Sequence, residues 1–181
     1  MTEEEFFLFC QEMQDYHVER EADGTILIME ITGSETGSFN AEITTEVNLW
    51  NRSEKKGKTF DSSSGFTLPN QAVRSPDAAW IALERWQALP PEDRKRFAHI
   101  SPDFVIEIRS ESDKLAKLKD KMQEYIDQGV RLAWLIDPVE GNVWIYRSNG
   151  SIDLIDSLAE VLSGEDVMAG FSLRPGDFLD E

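Results

Sequence analysis

One cysteine, two histidines and no run of eighteen apolar residues occur in the 181-residue chain. Cys10 alone permits no internal disulfide and no multi-cysteine metal site, which fits a reducing compartment, and it reads as a core residue. His17 and His99 stand far apart, with no neighbouring cysteine and no HExxH pattern, so zinc is not expected and both read as surface or capping residues. No stretch is long and apolar enough to span a bilayer, and the acidic start MTEEEFFLFCQEM lacks the basic flank of a secretory signal. A cytoplasmic protein without a membrane segment is expected. Cations are scarce as well: 18 Lys and Arg face 35 Asp and Glu, for a net charge of −17. Proteins that bind nucleic acid gain affinity by releasing phosphate counterions to Lys and Arg, so any such contact here rests on a local basic face and is weak non-specifically.

Apolar residues make up 40% of the chain, with five Trp and ten Phe, enough for one domain with a real core. Residues 3–16 read as a helix, with Thr2 and Glu5 spaced as a capping box. HVEREADGTILIMEI reads as a hairpin turning at Asp23-Gly24, and GSETGS as a loop. Phe39, Ile43, Val47 and Trp50 then recur at helical spacing over 39–51. Strands are expected at 60–68 and 72–83, parted by Pro69-Asn70. From 103 to 137 the order is strand (DFVIEIR), helix (113–128), Gly129 stop and strand (RLAWLID), a βαβ unit with two parallel strands. VWIYR and SIDLID flank Asn149-Gly150, a second hairpin signal. The single domain spans 1–181: an N-terminal helix and hairpin (1–35), an α/β core (38–138), and a C-terminal hairpin and tail (139–181).

Several short motifs fail for lack of partners. GKT at 57–59 has Arg52 where a phosphate-binding loop needs glycine, and SSSG at 62–65 lacks the upstream glycine of a nucleophile elbow, so its serines read as strand residues. NRS at 51–53 is a glycosylation triplet by letters alone.

The surviving constellation is acidic. In SPDFVIEIRS, side-chain alternation puts Asp103, Val105, Glu107 and Arg109 on one face and Phe104, Ile106 and Ile108 on the other. Glu107 and Arg109 read either as an exposed pair or as part of a site; a parallel strand, covered on both faces, favours the site, since a buried carboxylate needs a cation. In RSPDAAWIAL, Asp77 shares its face with small Ala79. Asp77 and Glu107 together offer oxygens to one hard divalent cation. On the following helix Lys121 borders the apolar stripe of Leu115, Leu118, Met122, Tyr125 and Ile126, free either to snorkel to water or to reach the strand ends.

An Asp after Pro on one strand, an acidic residue with a basic residue two positions on in the next, then a helix and a parallel strand, resembles the PD-(D/E)xK superfamily of restriction-endonuclease-like nucleases. TGSFNAEI, GFTLPNQAVRSPDAAWI, SPDFVIEIRSESD, DKMQEYIDQGVRLAWLIDP and GFSL, spread over residues 16–179, are similar to the bacterial Uma-two-type endonuclease family. The resemblance implies a restriction-endonuclease-like α/β core, a mixed β-sheet flanked by helices, with an added N-terminal helix and hairpin. It implies a Mg²⁺- or Mn²⁺-dependent endonuclease acting on DNA, in which Asp77, Glu107 and the Ile108 carbonyl hold the metal. By the same resemblance Lys121 replaces the family's usual lysine and positions or activates water, and Arg109 steadies the carboxylates or grips phosphate. A further acidic residue is expected from the N-terminal part, Glu19 or Glu46. Cutting both strands of a duplex favours a homodimer. The alternative function is a nuclease fold without catalysis, serving as a binding or assembly module. Of the two SPD triplets, the one with Asp77 is the expected ligand; Asp103 starts its strand too far back from Glu107.

Overall fold

A computed structural model describes residues 1–30 and 32–179. Helix α1 (Glu3–Glu12) begins with the expected capping box, Thr2 and Glu5 satisfying each other's backbone N–H groups. Strands β1 (His17–Arg20) and β2 (Ile26–Met29) form the antiparallel hairpin, with Gly24 taking the turn's positive φ of 89°. The expected hairpin includes Ile31 and the expected tail runs to Glu181; Ile31, Asp180 and Glu181 lie outside the described residues.

Helix α2 (Ser34–Glu54) is longer than its apolar spacing predicts and absorbs most of the GSETGS segment expected as loop. Gly33 sits at the N-cap and Glu35 lies in the first turn, where the helix dipole favours a negative charge. The run expected as one strand over 60–68 is two: β3 (Gly57–Asp61) and β4 (Phe66–Thr67). Asp61 Oδ1 accepts hydrogen bonds from the Ser63 amide and hydroxyl, so Ser62–Ser64 belong to a side-chain-stabilised turn rather than to a strand. The run over 72–83 likewise divides into β5 (Val73–Arg74) and β6 (Ala78–Ala82), broken at Ser75-Pro76, and a short helix α3 (Leu83–Ala88) follows.

The βαβ unit is present as β7 (Phe104–Ile108), α4 (Leu115–Asp127) and β8 (Leu132–Asp137), with β7 and β8 parallel in register Glu107 to Leu135. Strands β9 (Asn142–Arg147) and β10 (Ile152–Ile155) form the second hairpin, and the short pair β11 (Leu162–Ser163) and β12 (Ser172–Leu173) lies in the tail.

The main sheet runs β10-β9-β8-β7-β6-β3, mixed because only β7 and β8 are parallel. On one face Phe39, Ile43 and Val47 of α2 pack against Phe104, Ile106 and Trp134; on the other Met122 and Tyr125 of α4 pack against Val105, Ala133 and Leu135. This three-layer arrangement buries both faces of the central strands, as their near-continuous apolar sequence requires. A second sheet, β2-β1-β5-β4, carries the N-terminal hairpin, under which Phe6, Val18 and Val73 form a small core with half-buried Cys10 against it. Asp103 ties the start of β7 to the end of β6, since its carboxylate accepts the Ala82 N–H at 2.9 Å and pairs with Arg85 at 2.9 Å.

Candidate active site

Glu107 is the penultimate residue of β7, where alternation turns it towards α4. Strand β6 runs antiparallel to β7 with Ala78 opposite Ile106, which sets Asp77, one residue earlier, opposite Glu107. The break at Ser75-Pro76 ends β5 and starts β6 so that Asp77 stands at the strand's entry. Its Oδ2 accepts the Ile108 backbone N–H at 2.7 Å and its Oδ1 accepts Asn40 Nδ2 at 2.8 Å, while the Thr44 hydroxyl, one turn along α2, reaches the Asp77 carbonyl at 3.4 Å.

Lys121 crosses from α4 to these strand ends. Its Nζ lies 2.8 Å from Glu107 Oε1 and 2.8 Å from Glu19 Oε1, so the side chain bridges two carboxylates instead of snorkelling to water. Tyr125, one turn further along α4, donates its hydroxyl to the same Glu107 Oε1 at 2.8 Å. Glu19 projects from β1, only 2% exposed. The pairing of Arg20 with Val73 puts Arg74 across from Glu19, and Arg74 Nη1 reaches Glu19 Oε2 at 3.2 Å. The Ser75 N–H donates to Glu19 Oε1 at 2.9 Å, and His17 Nε2 stands 3.8 Å from the same oxygen. Arg74 spends its other nitrogens on Glu21 and Glu124, each at 2.6 Å.

The two carboxylates that grip Lys121 are electrostatically unequal. Burial alone would raise the pKa of Glu19, but Lys121, His17 and Arg74 outweigh it and hold the group well below the usual carboxylate range. Glu107 is pushed up to about 7 by burial, with Asp77 and Glu19 adding to the push, against the pull of Lys121. Asp77 is also raised by burial, opposed by the Ile108 N–H and by Lys121. For Lys121, burial works against the charge, yet Glu107 and Glu19 prevail and raise its pKa further. Lys121 is therefore a fixed cation at neutral pH.

The site thus sets two acidic residues opposite each other on adjacent strands, with a helix lysine joining one of them, Glu107, to a third acid on an N-terminal strand. The chain as a whole matches the model of a family described as "Putative restriction endonuclease" over residues 3–176. The chain belongs to this Uma2 family. In fold it is similar to the crystal structure of a protein titled a putative nuclease belonging to DUF820, from Anabaena variabilis, with a TM-score of 0.74 and 21% identity over 89% of this chain and 88% of that one. No curated protein matches the chain.

In this Uma2-family chain the structure brings together Asp77, Glu107, Lys121 and Glu19. Glu46, the other N-terminal candidate, makes no hydrogen bond or ion pair to them among the described residues. Arg109, expected to steady the carboxylates or the phosphate, is directed elsewhere: it lies past the end of β7, and its Nη1 pairs with buried Asp137 at 2.7 Å and with Glu140 at 3.2 Å. Its role is to neutralise the end of β8. Ile108 is at the site, with its N–H on Asp77. His99 pairs with Glu3 on the surface as expected, whereas His17 stands beside Glu19 and its pKa is raised by that carboxylate. Arg74, Asn40 and the hydroxyl of Tyr125 are members that sequence reading missed. Only Arg74 left a local sign, an arginine in an apolar strand three residues before Asp77.

Among the described residues no three His, Cys, Asp or Glu side chains converge as a ready-made metal cluster. The donor chemistry nevertheless suits Mg²⁺ or Mn²⁺, since Asp77 and Glu107 supply only oxygen. Both contacts made to Glu107 use Oε1, leaving Oε2 for another partner.

Proposed function

We propose that the chain is a divalent-metal-dependent endonuclease that hydrolyses phosphodiester bonds in DNA. The observation that carries this reading is the placement of Asp77 opposite Glu107 with Lys121 Nζ 2.8 Å from the Glu107 carboxylate, in a chain of the family described as "Putative restriction endonuclease". Asp77, Glu107 and the Ile108 carbonyl would hold Mg²⁺ or Mn²⁺. Such an ion, when bound, supplies positive charge to a phosphoryl group and acidifies a water.

The chain's own residues do the rest. Lys121 keeps its proton, so it cannot act as a general base; its ammonium orients the attacking water and offsets charge on the phosphate oxygens in the transition state. Glu19, ionised and gripped by Arg74, holds Lys121 in place. Tyr125 orients Glu107 from behind. Overall, water oxygen adds to phosphorus, one P–O ester bond breaks, and the products are a phosphate monoester and a free hydroxyl. Purified protein with Mg²⁺ or Mn²⁺ should nick supercoiled plasmid, and Asp77→Ala or Glu107→Ala should abolish it. Nicking that survives both substitutions refutes the assignment.

The second reading, a binding or assembly module without catalysis, draws on the net charge of −17 and on the commitment of Arg109 to Asp137 instead of a phosphate. It predicts no saturable Mn²⁺ binding that depends on Asp77.

A further inference from the structure

Asn40 stands in the first half of α2, one turn before Thr44, and both address Asp77: the amide through the side chain, the hydroxyl through the backbone carbonyl. An ionised carboxylate only accepts hydrogen bonds, so the nitrogen of the Asn40 amide faces Asp77, which fixes the orientation of the group. Its oxygen, Oδ1, is then buried and has no hydrogen-bond partner. A buried carbonyl oxygen without a partner is costly, on the order of 1–3 kcal/mol. Asn40 could have turned this oxygen away from the cost only by giving up Asp77.

The acids around the site do not close a ligand set by themselves. Glu19 is taken up by Lys121, Arg74 and the Ser75 N–H, which leaves Asp77 and Glu107, and no third His, Cys, Asp or Glu among the described residues joins them. Hard divalent cations accept neutral amide oxygens alongside carboxylates. Oδ1 shares its carbon with the nitrogen that already touches Asp77 at 2.8 Å, so it lies beside a carboxylate expected to bind the ion.

We infer that Asn40 is a further oxygen ligand of the divalent-cation site, contributing Oδ1 while its Nδ2 positions Asp77. The inference rests on the function proposed above for the same site. It assigns the orphaned oxygen a partner, and it makes α2 a wall of the site and not only a cover for the main sheet.

Calorimetric titration of Mn²⁺ into the chelator-stripped protein at pH 8 tests it without any nuclease assay. Asn40→Ala, a favourable substitution inside a helix, should weaken Mn²⁺ binding by about ten- to a hundredfold, the loss typical of removing a group that supports a metal. Asn40→Asp keeps an oxygen at the position but loses the amide donor, and it should bind Mn²⁺ at least as tightly as the parent. If Asn40→Ala binds like the parent, the inference is overturned while the endonuclease reading stands. If Asn40→Ala and Asn40→Asp are weakened alike, Asn40 acts only through Asp77 and ligation is overturned. Asp77→Ala in the same titration separates the two levels: undiminished binding there, or no binding by the parent, overturns the proposed function together with this inference. Circular dichroism melts in chelator identify any variant whose loss reflects unfolding.

Discussion

Replacing Glu107 by glutamine should stabilise the metal-free protein, and more so as the pH rises. Glu107 is 5% exposed, and its pKa stands at about 7 against an ordinary 4.5. Between those values the native chain holds a proton that the unfolded chain releases. The stabilisation linked to that proton is complete below about pH 4.5 and is lost as the pH climbs through 7. Each pH unit over that interval is worth about 1.4 kcal/mol. Ionising Glu107 in the folded protein therefore costs at most about 3 kcal/mol at pH 8. Glutamine has the same shape and does not titrate. Urea unfolding of parent and Glu107→Gln in chelator, from pH 5 to 8, should show the variant gaining on the parent by up to about 3 kcal/mol across the series. A difference that stays flat, or that falls as the pH rises, refutes the reasoning. It would mean that Lys121 and Tyr125 compensate the buried charge fully, and the carboxylate would then be a structural asset and not a cost tolerated for function.

Lys121→Ala leaves Glu19 and Glu107 buried without their shared cation, and thermal melts should report a loss of about 3–5 kcal/mol at pH 8. The loss should shrink at pH 5, where Glu107 is protonated. Arg74→Ala strips Glu19, Glu21 and Glu124 of a common partner and should cost a similar amount, about 3–5 kcal/mol by denaturant unfolding. Arg109→Ala should lower stability by about 2 kcal/mol through unpaired Asp137, yet leave the Mn²⁺ affinity within about threefold of the parent by calorimetry; a larger change would return Arg109 to the site.

The strand, helix and strand from Phe104 to Asp137 were legible because each signal is local: a run of branched apolar residues, a 3.6-residue stripe ending at Gly129, and a second apolar run. Asp77 and Glu107 were legible for a related reason, as carboxylates set in apolar strands where charge needs an explanation. The start of α2 was not, because Gly33, Ser34, Gly37 and Ser38 carry a loop's composition while the packing of Phe39, Ile43 and Val47 propagates the helix backwards. The division of 60–68 depended on Asp61 capturing the Ser63 amide, a contact that competes with strand pairing. Glu19 could be named only beside Glu46. What distinguishes them is Lys121, 102 residues from Glu19, and no periodicity reaches that far. Asn40 and Tyr125 were hidden likewise, since helix spacing accounts for each without reference to the site, and Arg74 showed only as a charge in an apolar strand.

The bridge made by Lys121 has a consequence for how the molecule comes into being. Glu19 belongs to the small N-terminal sheet and Glu107 to the large one, and the lysine between them arrives on a helix that follows both in the chain. During synthesis the strand carrying Glu19 emerges first, meets Arg74 from the same small sheet, and waits for Lys121, 102 residues on, a contact of high sequence separation and hence a late one. A half-made chain therefore has acids but no assembled centre, and the site completes itself only when the whole of α4 has left the ribosome and closed both sheets upon it.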